Sequence, residues 1–132
     1  MTYLDLTKSA IAAVCEDTST SFGVEDYNTR AQFLLATFIT QYAPLDGVYR
    51  ETHGLEPQEI HTDIAAVDPE NVFPLCEVFV PAAVQYLASA LVLDENEEMS
   101  DKFFDRYINI ILEIRKSLPA TQGAIVDRYD LT

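Results

Sequence analysis

Cations are scarce in this chain: eight Lys and Arg stand against 22 Asp and Glu, a formal net charge of −14, and the sequence pI is about 4.2. That sign argues against affinity built on nucleic-acid phosphate contacts, which needs neutralising side chains. Glycine is sparse as well, at 4 residues, so a collagen period or a low-complexity tract is excluded. The only cysteines are Cys15 and Cys76, each in an apolar neighbourhood. A chain with enough core needs no disulfide staple, so both are expected as reduced core thiols. Long apolar runs are missing: the stretch from Val78 to Leu93 is broken by Gln85 and Ser89, contains Pro81, and is shorter than a bilayer requires. The residues from Met1 to Lys8 lack the cationic start and apolar stretch of an export signal. No catalytic signature stands anywhere in the sequence.

What is present is a core. With 132 residues, 48% of them apolar and 11% aromatic, the chain can bury roughly two thirds of its unfolded surface as a single domain spanning 1–132. Seven Phe and seven Tyr contribute on the order of 2 kcal/mol for each ring fully buried. The period of the apolar residues is helical. Leu4, Ile11, Ala12, Val14 and Cys15 form a first stripe, with Thr2 placed three residues before Asp5 as an N-terminal cap. The Ser- and Thr-rich stretch Glu16 to Gly23 connects it to a second stripe of Tyr27, Ala31, Leu34, Leu35, Phe38, Ile39 and Tyr42, expected to end at Ala43 because Pro44 follows. A third helix is expected from Pro81 to about Leu93, or from near Leu75 with Pro81 as a kink. Ser100 is a good cap for a fourth, whose stripe is Phe103, Phe104, Tyr107, Ile108, Ile111, Ile114 and Leu118, with Arg115 and Lys116 at its negative end and Pro119 as its stop. The fold class that follows is all-α: a compact four-helix domain with an accessory extended piece.

Between the second and third helices, residues 45–73 hold Gly47, Gly54, Pro57, Pro69 and both histidines, without a sustained period. Median connections are about 4 to 6 residues, so a loop of this length is expected to bind something or to reach a neighbouring subunit. Ile60, Thr62 and Ile64 alternate with His61, Asp63 and Ala65, the pattern of a short strand or extended arm. The segment 120–132 reads as a second arm, with Ile125 to Leu131 able to add as a strand.

Few residues carry chemistry. If 59–63 is extended, Glu59, His61 and Asp63 project to one face, a carboxylate, imidazole, carboxylate set that could hold zinc or a harder divalent ion. The spacing matches no recognised ligand motif, and a solvated strand face explains it as well. Glu51 and His53 lie nearby, but no Ser or Cys sits in a nucleophile elbow. Asp94, Asn96 and Glu98 alternate as a calcium loop opens, yet Met99 occupies the position that needs Gly and Asp105 falls within a helix. Phe103, Phe104, Tyr107 and Tyr86 read as core rings, since no basic groove accompanies them. No catalytic residue, metal or cofactor is therefore assigned.

The stretch PAAVQYLASALVLDENEEMSDKFFDRYINIILEIRKSLPA, residues 81–120, followed by IVDRY, resembles the head-tail connector, or head completion, proteins of tailed phages and prophages. Three matches carry the resemblance. Leu87 to Leu93 is an apolar helix end, Asp94 to Glu98 an acidic Asn-bearing turn, and Phe103 to Ile111 an aromatic-rich helix with Tyr107 in its middle. The resemblance covers about the last 60 residues and consists of packing and turn features. It implies a non-enzymatic virion protein, present in the host cytoplasm during assembly and then in the particle. Such a protein self-associates into a ring and contacts portal, neck or tail proteins, with no membrane and no direct high-affinity nucleic-acid binding. It also implies a monomer or weak oligomer in isolation, with 45–73 and 120–132 as reaching arms. Two other functions fit the residues alone: an acidic inhibitor that imitates the DNA phosphate array, and a small metal-dependent enzyme built on Glu59, His61 and Asp63.

Overall fold

The helical periods fold as helices. The computed structural model describes residues 1–14, 24–60 and 65–118. Across them run α1 (Tyr3–Val14), α2 (Val24–Thr52), α3 (Val80–Val92) and α4 (Glu97–Lys116), with one 3-10 turn at Glu77–Phe79 and no strand. The all-α class is shown. Among the described residues no helix is long and apolar enough to cross a membrane.

α1 opens on the expected cap, made reciprocal: Thr2 Oγ1 accepts the Asp5 N–H at 3.1 Å, and Asp5 Oδ2 accepts the Thr2 N–H at 3.2 Å. Those bonds, aided by the positive charges of the N-terminus and Lys8, hold the Asp5 carboxyl below its ordinary range. α2 departs from expectation. It does not stop at Ala43 but continues through Pro44 to Thr52, so the irregular segment begins eight residues later than the sequence indicates. Proline inside a helix costs about 3 kcal/mol relative to alanine. What offsets it is the face beyond: Asp46 is buried and paired with Arg50 one turn on, while Leu45 and Tyr49 pack on the core. Two residues past the end of α2, Gly54 takes a φ of 69° that favours glycine, and the Leu55 N–H returns to the Arg50 carbonyl at 2.8 Å.

α3 carries no charged residue and is the centre of the molecule, touching all three other helices and packing most extensively on α4. Its Ala82, Ala83, Ala88 and Ser89 are all buried, and their small size lets neighbouring backbones approach. Pro81 lies in its first turn, where a missing N–H goes unnoticed; of the two expected starts, the one beside Pro81 is observed. The turn 93–96 folds α4 back, with the Glu95 and Asn96 N–H groups donating to the Val92 carbonyl at 3.0 and 2.9 Å. The cap of α4 is Asn96, not Ser100: Asn96 Oδ1 accepts the Met99 N–H at 3.0 Å. Ser100 is drawn into the hairpin instead, buried, its hydroxyl donating to the Ser89 carbonyl at 2.9 Å. Asn96 thereby caps a helix and opens no calcium loop.

Around α3 the rings gather. Phe38 of α2 lies within 6.4 Å of Tyr42, Phe73, Tyr86 and Tyr107, centroid to centroid. The hydroxyls of Tyr42 and Tyr107 bond to each other across the core, which satisfies two polar groups that burial would otherwise strand. Cys76 is buried and free; Cys15 lies outside the described residues.

Candidate functional site

The only extended pairing among the described residues is an antiparallel bridge between Thr2 and Val72. It is flanked by Tyr3 N–H to the Asn71 carbonyl at 3.0 Å and Phe73 N–H to the Met1 carbonyl at 2.9 Å. With Leu4 N–H on the Pro69 carbonyl at 2.8 Å and Val67 N–H on the Gln32 carbonyl at 3.1 Å, the segment after α2 is strapped along α1 and α2. Val67, Phe73 and Leu75 are buried beneath it, while Leu55 and Val72 face outward, Val72 at 66% exposure.

The other end of this strap is held by the one buried ionic cluster among the described residues. Asp46, 1% exposed, accepts the Cys76 backbone N–H on Oδ1 at 2.8 Å and Arg50 Nε on Oδ2 at 2.8 Å. Arg50 donates its remaining arms to the carbonyls of Glu56 at 3.1 Å and Pro74 at 3.0 Å. The guanidinium thus spans the entry and exit of the loop, and Asp46 raises its pKa further. Beside them the Cys76 thiol is pushed up to about 11, chiefly by burial and then by the Asp46 carboxylate. At neutral pH it is protonated and poorly nucleophilic. These hydrogen bonds all run within the chain, so the cluster is a clamp on the two ends of the loop.

The sequence-derived metal set is not assembled by the described residues. Glu59 is exposed; His61 and Asp63 lie outside the described residues, as do His61 to Ile64 of the expected strand and the whole 120–132 arm. Of that alternation Ile60 and Ala65 are described, Ile60 packed against the core and Ala65 exposed. No group of three His, Cys, Asp or Glu side chains gathers to hold an ion among the described residues. His53 instead stacks on Tyr49 at 4.1 Å, its Nδ1 at 2.9 Å from the Tyr49 carbonyl. Phe103 and Tyr107 are core rings as expected, whereas Phe104 is exposed.

A polar cleft of about 470 Å³ lies between the end of α1, the middle of α3 and the first half of α4. Lys102 and Arg106 line it one turn apart, with Gln85, Asn96 and Glu98, and the Arg106 guanidinium sits 5.6 Å above the Phe103 ring. Gln85 Oε1 is buried and finds no hydrogen-bond partner among the described residues. Sequence reasoning missed both this cleft and the Asp46 clamp. The i,i+4 spacings of Asp46 with Arg50 and of Lys102 with Arg106 were the available signals. No family model, curated protein or solved structure matches the chain.

Proposed function

We propose that the chain is a structural component of a tailed-phage or prophage neck, connector-like, which assembles with identical subunits and a portal or tail partner and performs no catalysis. The observation that carries the reading is the α3–α4 hairpin. The described part of the stretch bearing the resemblance, residues 81–118, is built on this hairpin, with the charge-free α3 at the molecule's centre and the Asn-capped acidic turn at its tip. The clamped loop supports it further: Arg50 holds a backbone arm against the body while Leu55 and Val72 stay outward, an arrangement suited to reaching a neighbour.

In this role the protein works by burying surface between partners, and its acidity has a use. A ring of subunits carrying −14 each presents a negative wall that repels DNA and lets it pass without adhesion. Assembly takes place in the host cytoplasm and the product stays in the virion. The test is to mix purified chain with the portal ring encoded beside it and image the mixture by electron microscopy. Added density on one face of the portal, with the portal's symmetry or a divisor of it, is the expected outcome; bare portals at saturating chain would overturn the reading.

A further inference from the structure

We propose that the Lys102/Arg106 cleft receives the acidic loop of a second copy of this chain, making the head-to-tail contact of the assembly; this rests on the ring reading above and names its interface. In this acidic molecule the cleft brings two exposed cations, Lys102 and Arg106, to one rim. Arg50 is consumed by Asp46 and two carbonyls, and Arg30 reaches the Ala90 carbonyl at 3.1 Å. Lys102 and Arg106, by contrast, are exposed side by side on α4 against the single rim carboxylate of Glu98. Gln85, half-buried in the same region, has no donor to its Oε1 among the described residues, and an extended backbone offers N–H groups of the kind it accepts.

The complementary surface lies at the other end of α1. From Gly54 to Cys76 the sequence has no Lys or Arg, and Glu56, Glu59, Asp68 and Glu70 are all exposed. Leu4 of α1 is bonded to this loop through Pro69, whereas Ala13 lines the cleft. The two surfaces are therefore separated along α1 by about 14 Å at 1.5 Å per residue. Two different patches at opposite ends of one subunit make a heterologous contact, the kind that repeats into a ring or filament. The Asp46–Arg50 clamp holds the two ends of the loop, at Glu56 and at Pro74 and Cys76, before contact, which reduces the entropy lost on docking.

The experiment is sedimentation velocity at about 0.15 M salt, where the Debye length of about 8 Å leaves local pairs but screens the overall repulsion. It is run to the solubility limit on four proteins: wild type, Lys102→Glu/Arg106→Glu, Glu56→Lys/Glu59→Lys, and Arg115→Glu/Lys116→Glu as a control that changes charge equally elsewhere on α4. Circular dichroism checks that these exposed substitutions leave the helices intact. Wild type and the control are expected to self-associate, while the cleft and loop variants are each weakened about tenfold or more. Mixed together, the cleft and loop variants should associate again, since the intact loop of one meets the intact cleft of the other and the two reversed surfaces are again opposite in charge. A wild type that stays monomeric throughout, association that survives both double variants, or no association on mixing would overturn the contact. None of these outcomes bears on portal binding, which the imaging experiment decides separately.

Discussion

At the scale of single residues, Asp46 has the most to lose. Both its oxygens are occupied, by the Cys76 N–H and by Arg50, and its removal leaves a guanidinium and a buried N–H without their acceptor. Breaking one side of a buried pair costs about 3 kcal/mol or more, so Asp46→Ala should lower unfolding free energy by about that amount in urea titrations. A loss below about 1 kcal/mol, the worth of an exposed pair, would contradict the clamp. Neutral buried groups set the alkaline limit. Tyr3 is pushed by burial from 10.0 up to about 12, and Cys76 from 9.0 to about 11. Both folded values are raised, so the stability tied to them is whole below about pH 9 and is lost as pH rises through 9 to 12. Thermal melts should hold level from pH 7 to 9 and then fall, and Tyr3→Phe should flatten the part of the fall above pH 10. An unchanged slope in that variant would show that Tyr3 does not couple to folding. The sequence marks Cys76 as a core thiol but hides Asp46 and Arg50. Their pairing depends on α2 surviving Pro44, and that is decided by the buried face beyond the proline, which local rules do not see.

At the scale of elements, the hairpin of α3 and α4 is where sequence and structure agree best. Periodicity located both helices because their stripes are wide and Pro81 punctuates the first turn of α3. The cap of α4 expected at Ser100 stands instead at Asn96 for a physical reason. Asn96 and Ser100 are both good N-caps four residues apart, and only the packing of Ser100 against Ser89 selects between them. Asn96→Ala should therefore cost about 1 kcal/mol in equilibrium unfolding. Ser100→Leu should cost about 1 to 3 kcal/mol through overpacking of the hairpin. Should Ser100→Leu prove neutral and Asn96→Ala leave stability unchanged, the observed cap and the tight α3–α4 approach would both be wrong. The loop was the least legible element, because its ends are held by Arg50 reaching carbonyls on either side of it, contacts with no sequence period.

At the scale of the whole molecule, hydrophobic pattern and charge made the all-α class and the acidic exterior readable, since both are summed properties. Which surfaces oppose each other was not readable. The cleft and the acidic loop are set at opposite ends of α1 by tertiary packing alone. A neck subunit makes a consequence for particles that neither a DNA mimic nor an enzyme shares: it remains in the finished virion in fixed ratio to the portal. The most direct measurement of the proposed role is quantitative mass spectrometry of particles purified from a lysate of the strain that carries the gene. The chain is predicted to be present at a constant ring-sized copy number relative to portal protein. Its absence from particles, while it is abundant in the lysate that produced them, would contradict the proposed role.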